Sequence, residues 1–207
     1  GLTALGTGMA LLAGHLHIAI YVLVGFALYV IARVVGLALD GVRWSRLAGH
    51  ATLAVGALML GGMLAACQLT PTFELIGLSS RRPVSYPDLV HNGLALPQLL
   101  IGLMPDIFGN PVDVNHWGGD LNAWWGKASR PYTETAWYFG VAPLLLGIAG
   151  LMTRPRRQSW FWLGLLVFAL LVAFGTVANL PLYYLLPGYR QLLGITRVAY
   201  LVGTAGA

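Results

Sequence analysis

The sequence predicts an all-α integral membrane protein, and two observations support that fold class. Of the 207 residues, 57% are hydrophobic and only 9% are charged, with a mean hydropathy of +0.73, whereas an ordinary soluble domain carries about 25% charged residues. The apolar residues also gather into runs that approach the roughly 20 residues a helix needs to cross a bilayer. We therefore expect a multi-pass protein whose main partner is the lipid bilayer, and the net charge of +5 does not indicate nucleic-acid binding.

The apolar runs predict four complete helices and two truncated ones. The complete helices cover about 16–37, 51–70, 136–152 and 160–178. Residues 1–13 have the composition of the end of a helix, and residues 198–207 that of the beginning of another. The chain, 1–207, is therefore expected to be a fragment of one transmembrane domain.

Two further features predict how these helices end and pack. Pro71 is expected to end the helix 51–70, because proline has no N–H to donate. Small residues recur every four positions in two helices, a spacing that lets helix backbones approach closely in lipid. They are Ala57, Gly61 and Ala65 in one helix and Gly6, Ala10 and Gly14 in the other.

Arginines predict which linkers face the cytoplasm. The linkers 33–50 and 153–159 carry three arginines each, whereas the much longer stretch 71–135 has only four basic residues. The Arg-dense linkers alternate along the chain, as successive membrane crossings require, and positive charge marks the cytoplasmic side. We therefore expect 71–135 and 179–197 to lie on the outer side.

The segment 71–135 is predicted to be a long extracytoplasmic loop that carries short interfacial helices. It holds six of the seven acidic residues of the chain. Pro87 and Pro97 stand where prolines begin helices, and Pro105 where a helix stops. The apolar run between them is too short to span a bilayer. Two short helices on the outer leaflet are therefore expected, followed by an ordered loop rich in Gly, Asn and Asp.

Polar side chains gather at the outer ends of four apolar segments. They are Gln68, Glu74, Arg81 and Arg82 after the helix 51–70, His15 and His17 in the turn before 16–37, Glu134 and Tyr138, and Arg190 and Arg197. Arginines at a bilayer surface suit bidentate contact with phosphate, and an acid so near hydrocarbon is costly enough to indicate function. The set predicts a binding site for a lipid-linked phosphate. The alternative is that each group simply extends to the lipid headgroups.

Asp113, His116 and Asp120 are the candidates for a divalent cation, since oxygen-rich loops with one histidine can hold one. Their spacing matches no recognised calcium loop, and solvated acids are far commoner than ligands, so the sequence favours neither a metal nor another cofactor. Trp117, Trp124 and Trp125 crowd the same loop. Indoles in such a loop stack on sugars, lie among headgroups or pack the core of the loop itself.

Five short stretches stand in order along the chain: AGHLHIAIY, CQLTPTFELIGLSSR, LMPDIFGNP, ETAWYFGVAPLLLGIAGL and LPGYRQLLGITR. They resemble landmarks of YfhO-like bacterial membrane proteins, which are related to the GT-C glycosyltransferases. The resemblance implies a GT-C-like transmembrane helix bundle in the bacterial plasma membrane. It also implies transfer of a sugar from a polyprenyl-phosphate donor to an envelope glycopolymer on the outer face.

The same resemblance limits the roles that single residues can be given. Glu74, Arg81, Glu134 and Arg197 match the landmarks, and the resemblance implies a ligand-binding role for them. GT-C enzymes usually carry their catalytic acid in the first outer loop. The catalytic residue is therefore expected upstream of this sequence.

Two other functions stay open at this point. A transporter or flippase for lipid-linked glycans would place polar groups near the bilayer midplane, on broken helices. Here the helix interiors are nearly free of charge and the polar groups collect at one end, which favours the transferase. A non-catalytic protein of envelope assembly is the third candidate, and no sequence feature excludes it.

Overall fold

A computed structural model describes residues 1–78, 83–129, 131–138, 140–153, 157–186, 188–191, 194–198 and 201. Within these ranges every regular element is a helix; the structure is 75% helical and has no strand. The all-α prediction is confirmed. The chain divides into two compact units, Gly1–Arg82 and Pro83–Ala207.

The first unit contains four helices. They are α1 (Leu2–Leu12), α2 (Leu16–Leu39), α3 (Trp44–Leu64) and α4 (Ala66–Leu78). By length and composition α2 and α3 can cross a membrane, and only 17% and 11% of their most apolar windows are buried. The core helix of a soluble protein buries its apolar face against other elements. The exposed apolar surface of α2 and α3 instead indicates association with a lipid bilayer.

Helices α1 and α3 pack closely through a glycine. A Cβ on Gly61 would lie 2.6 Å from the Cβ of Thr7 and 2.8 Å from the carbonyl oxygen of Ala4. Gly61 and Ala65 are buried, in keeping with the predicted stripe of small residues on α3. The stripe predicted on α1 was wrong, because Gly6 and Gly14 are exposed. The buried face of α1 is instead Ala4, Thr7, Gly8 and Leu11.

The predicted helix end at Pro71 was also wrong, since Pro71 lies inside α4. The helix breaks earlier, at Ala65, whose φ of −90° and ψ of 2° close α3. Proline inside a helix removes one backbone hydrogen bond, and nearby threonine side chains can donate to the carbonyls of the preceding turn. Thr70 Oγ1 donates to the Ala66 carbonyl at 2.8 Å, and Thr72 Oγ1 to the Gln68 carbonyl at 2.7 Å.

The described residues of the second unit form six α-helices and four 3₁₀ helices, apart from the single helical residue Leu201. The α-helices are α5 (Tyr86–His91), α6 (Gly118–Trp124), α7 (Tyr132–Thr135), α8 (Val141–Thr153), α9 (Arg157–Ala173) and α10 (Asn179–Leu185). The 3₁₀ helices are Leu96–Gly102, Pro111–Asp113, Tyr189–Gln191 and Ile195–Val198. Most of the helix predicted at 198–207 lies outside the described residues. The predicted loop 71–135 begins too early, because α4 continues to Leu78. Short helices lie in the rest of it, as the sequence predicts.

Both longer helices of this unit differ from their predicted bounds for local reasons. α8 was predicted to begin at 136, but Gly140 adopts φ +98° and the helix begins at Val141. α9 was predicted to run to 178, but it ends at Ala173 in a Schellman motif around Gly175, which has φ +67°. The N–H of Thr176 donates to the Leu171 carbonyl at 3.1 Å, as that motif requires.

Prolines stand in the first turn of the two short helices after residue 83, as the sequence predicts. Pro87 lies in the first turn of α5, where Ser85 Oγ also accepts a hydrogen bond from the Asp88 N–H. Pro97 lies in the first turn of Leu96–Gly102, which is a 3₁₀ helix. Proline fits these positions because the first N–H groups of a helix have no partner within it.

Residues 83–129 are held against the carboxyl end of α9. The N–H of Leu94 donates to the Ala173 carbonyl at 2.8 Å, and Lys127 Nζ donates to the carbonyls of Val90 at 3.0 Å and Phe174 at 3.1 Å. An ammonium suits the carboxyl end of a helix, where carbonyl groups are unpaired. Burial lowers the pKa of Lys127. These contacts fix the segment that forms the site at one end of an apolar helix.

Candidate functional site

A cavity of about 150 Å³ opens in the second unit. Its wall combines apolar side chains with a carboxylate, an imidazole and two phenols. It is lined by Ile101, Pro105, Asp106, Ile107, Phe108, Gly109, His116, Tyr132, Thr135, Ala136 and Tyr138. Behind it lies a small core of Ile101, Phe108 and Leu121, against which Ile107 and Trp137 pack.

One wall of the cavity is a tightly closed loop, 106–117. The N–H of Trp117 donates to the Phe108 carbonyl at 2.9 Å, and the N–H of Asn110 to Asn115 Oδ1 at 2.7 Å. Gly109 adopts φ +80°, and a Cβ on it would lie 2.1 Å from the Asn115 carbonyl oxygen. Only glycine fits that position. The loop is therefore closed by its own backbone, which holds the polar groups of the wall in place.

Asp106 and Tyr132 form a hydrogen-bonded pair across the cavity wall. The Tyr132 hydroxyl donates to Asp106 Oδ1, and Asp106 is one of two described non-glycine residues with positive φ, at 57°. The hydrogen bond to Asp106 raises the pKa of Tyr132 above its usual 10.0, with burial and the carboxylate charge adding to it. The phenol therefore keeps its proton over the physiological range, and the carboxylate has acceptor capacity left for a ligand hydroxyl.

His116 stands next to this pair. Its ring meets the Tyr132 ring edge to face, with the centroids 5.3 Å apart, and its Nδ1 lies 3.4 Å from the Gly109 carbonyl oxygen. Its Nε2 is buried and has no hydrogen-bond partner in the described part of the chain. A buried polar atom without a partner is costly, so His116 Nε2 is an unsatisfied group in a residue of the cavity wall.

The short helix α7 joins the cavity to an ion pair. Tyr132 and Thr135 of α7 line the cavity, while Glu134 on the same turn accepts a hydrogen bond from Arg197 Nη2 at 2.9 Å. The side chains of Arg197 and Glu134 are 27% and 17% exposed. A guanidinium has five N–H donors, so one bond to Glu134 leaves others for an anionic ligand.

Arg197 is positioned by a glycine as well as by Glu134. A Cβ on Gly194 would lie 3.0 Å from Arg197 Nε and 3.1 Å from its Cδ. The guanidinium therefore lies close over the Gly194 backbone. A larger residue at 194 would press on the Arg197 side chain and require it to shift by a few tenths of an ångström.

Two other predicted site residues, Tyr138 and Arg190, also lie in this unit, but their surroundings differ from each other. Tyr138 lines the cavity and is half exposed. Arg190 lies over the rings of Tyr183 and Tyr184, 4.8 Å and 5.6 Å from their centroids. Of the predicted residues, the structure thus brings Glu134 and Arg197 into direct contact and puts Tyr138 on the wall beside α7.

The remaining predicted site residues belong to the first unit or lie outside the described ranges. Gln68 and Glu74 are exposed on α4. The rings of His15 and His17 meet edge to face with their centroids 5.9 Å apart. Two residues that are two positions apart do not share one face of a helix, so the sequence spacing alone argues against this contact. Arg81 and Arg82 fall outside the described residues.

The metal candidates do not come together. Among the described residues there is no group of three or more histidine, cysteine or acidic side chains that could hold a metal ion. Asp113 and Asp120 are exposed, while His116 lines the cavity. The expectation that the protein needs no metal stays a prediction.

Sequence reasoning missed Asp106 and Tyr132, and it considered His116 only as a candidate metal ligand. Asp106 stands in LMPDIFGNP, where an acid directly after a proline stop precedes a Gly–Asn turn, and such positions expose a side chain on a rigid backbone. No periodicity links Asp106 to Tyr132, 26 residues away. Their contact arises because the 26 residues between them fold back and bring α7 to Asp106.

Replacing Asp106 by asparagine is expected to lower the pKa of Tyr132 toward 10.0, because the hydrogen bond to the carboxylate and then its charge, which both favour the protonated phenol, are lost. The pair stabilises the fold below pH 10, and this contribution disappears as the pH rises through the pKa of the folded protein. Tyrosinate absorbance during an alkaline titration measures the shift. The pKa of Tyr86 is raised mainly by burial, so it should not change in this variant. If the unaltered and Asp106→Asn proteins gave the same titration curve, the hydrogen bond between Asp106 and Tyr132 would be contradicted.

Comparisons of the chain with protein-family models, with curated proteins and with solved structures found no match. The site is therefore interpreted from its own geometry and chemistry.

Proposed function

We propose that this chain belongs to a multi-pass glycosyltransferase-like protein of a bacterial plasma membrane. In this proposal the protein transfers a sugar from a polyprenyl-phosphate donor to an envelope glycopolymer on the outer face. The observation that carries the proposal is the pairing of Arg197 with Glu134 on the helix that walls the cavity. It puts an anion-binding group next to a cavity on an apolar helical framework.

The ion pair supports a phosphate ligand. Glu134 orients the guanidinium of Arg197, whose remaining N–H groups can bind two phosphate oxygens side by side. The side chain of Arg197 is only 27% exposed, so a phosphate bound there is partly removed from water, where charge-assisted hydrogen bonds are stronger.

The cavity supports a polyhydroxylated ligand such as a sugar. Tyr132, Tyr138 and His116 offer ring faces and edges, and Asp106 offers a carboxylate that accepts from hydroxyl groups. Small-ligand sites combine an apolar lining with a few polar groups of this kind. The ion pair and two residues of the cavity wall share α7, so we assign the sugar of the donor to the cavity and its phosphate to Arg197.

The segment that bears the cavity lies at one end of α9, and this location supports a reaction on the outer face of the membrane. Arg157 begins α9, and the segment 83–129 is attached at its other end, through Ala173 and Phe174. A 17-residue helix is about 25 Å long at 1.5 Å per residue. If the Arg-rich linker 153–159 is cytoplasmic, the segment bearing the cavity lies on the opposite side.

The test uses the intact protein in sealed vesicles with a polyprenyl-phosphate-linked sugar as the donor. We expect sugar transfer to an added envelope polymer that depends on this donor and is not supported by a nucleotide sugar. Movement of the intact donor across the bilayer without cleavage would establish a flippase instead. Binding of the donor with neither transfer nor movement would indicate a non-catalytic role, and either result overturns the transferase.

A further inference from the structure

Two exposed valines stand at the tip of the cavity loop, and one of them, Val114, has a strained backbone conformation. Val112 is 86% exposed and Val114 is 91% exposed, and Val114 adopts φ +55° and ψ +25°, in the left-handed region. A β-branched residue is strained there, whereas glycine or asparagine is not. The hydrogen bonds of the turn come from the backbone and from Asn110 Oδ1, so neither valine side chain is needed to form it.

Exposed indoles flank this tip. Trp117 is three residues from Val114, so their Cα atoms lie within about 11 Å, and its ring packs on Phe108 with the centroids 5.0 Å apart. The ring of Trp124 follows at 6.2 Å from that of Trp117. Trp124 is 74% exposed, and Trp125 is exposed as well. Residues 112–125 thus present two exposed valines and three exposed indoles.

We propose that this tip inserts into the boundary between headgroups and acyl chains of the bilayer. Tryptophan favours that boundary, because its ring is apolar and its N–H is polar. The loop belongs to the unit that contains α8 and α9, whose exposed residues include Leu146, Met152 and Leu171. An apolar surface that needs lipid cover is therefore already present in the unit to which the tip is attached.

The charges around the tip fit a bilayer surface without net charge. The charged residues of the loop and of α6 are the acids Asp106, Asp113 and Asp120, which disfavour an anionic partner. The nearest described cation along the chain, Lys127, donates to backbone carbonyls and is half-buried. The occupant is therefore zwitterionic lipid, and the inference does not depend on sugar transfer.

The test measures the depth of single spin labels in the intact protein. Cys67 is the only cysteine of the chain, so a Cys67→Ala background leaves one label each at Val114→Cys, at Val112→Cys and at the control position Ser129→Cys, an exposed polar site of the same unit. In phosphatidylcholine vesicles we expect the ratio of oxygen collisions to collisions with a water-soluble nickel complex to be several-fold higher at 112 and 114 than at 129.

Two outcomes overturn the proposal. A ratio at 114 equal to that at 129 would place the tip in water, and shielding from both collision partners would show that protein covers it. A second variant separates insertion from folding: Val114→Asn relieves the left-handed strain. It should leave the thermal unfolding temperature unchanged or higher, while moving a label at 112 toward water. An unchanged depth at 112 in a folded Val114→Asn protein would also overturn the proposal.

Discussion

Replacing Arg197 by glutamine is expected to lower sugar transfer by about one to two orders of magnitude. A hydrogen bond to a charged group contributes about 1.5–3 kcal/mol, and each 1.4 kcal/mol is a factor of about ten. The loss should appear mainly as a higher KM for the donor, because the guanidinium is proposed to bind the donor phosphate. Initial rates of transfer, measured over a range of donor concentrations, give both parameters.

Two comparisons make this expectation specific. Arg190→Gln removes an equal charge from the same unit, but Arg190 lies over Tyr183 and Tyr184 rather than beside Glu134, so transfer should stay near that of the unaltered protein. Glu134→Gln should reduce transfer by releasing Arg197, and the double variant should be less than additive. Unaltered transfer in folded Arg197→Gln and Glu134→Gln proteins would leave this pair with a structural role alone.

Gly175→Ala is expected to cause a large loss of stability in the second unit. Gly175 has φ +67°, and a Cβ there would lie 2.5 Å from the Val90 carbonyl oxygen. The left-handed conformation costs alanine about 1–2 kcal/mol, and overpacking against backbone adds about 1–3 kcal/mol. The sum, about 2–5 kcal/mol, is measured as a lower midpoint of thermal or denaturant unfolding in detergent.

Gly126→Ala is the matched control for this substitution. Gly126 has nearly the same φ, +66°, but a Cβ on it would meet no atom within 4 Å. Gly126→Ala should therefore lower the free energy of unfolding only by the conformational contribution, about 1–2 kcal/mol. Equal destabilisation by the two substitutions would show that the carboxyl end of α9 and the residues around Val90 are not packed as closely as the distances indicate.

The helical class and much of the element order could be predicted from the sequence, because both follow from local pattern. A long apolar run predicts a helix, and α2 covers Leu16–Leu39 where 16–37 was expected. Pro87 and Pro97 act within one turn, so their positions indicate where short helices begin. In such cases the residues that determine the structure lie within a few positions of each other.

The errors have physical reasons that extend beyond a local pattern. Pro71 was expected to end a helix, but α4 continues past it, and threonine hydroxyls next to it donate to carbonyls of the preceding turn. The face of α1 was misassigned because the spacing of small residues does not say which helix is the neighbour. The pair of Asp106 and Tyr132 depends on loop closure over 26 residues, which no period reveals.

The candidate site was predicted only in part, for the same reason. Glu134 and Arg197 were both chosen from their position at the ends of apolar segments, and they form an ion pair 63 residues apart in the sequence. The position of each residue along the sequence did not show that the two would form an ion pair. The binding roles of Arg81 and Arg82 stay predictions, since both fall outside the described residues.

The attachment of residues 83–129 to the end of α9 has a consequence for the order in which the protein assembles during synthesis. Tyr86 donates to the Thr176 carbonyl across 90 residues, and Tyr183 to the Val84 carbonyl across 99. A ribosome makes the earlier partner first, so the segment with the cavity must wait until α9 and α10 have emerged before its backbone groups find their partners. Contacts this distant form late and slowly, and the incomplete segment is the stage most open to proteolysis and aggregation. Truncation before residue 174 would leave the cavity segment without the partners that hold it, even though every residue of its wall had already been made.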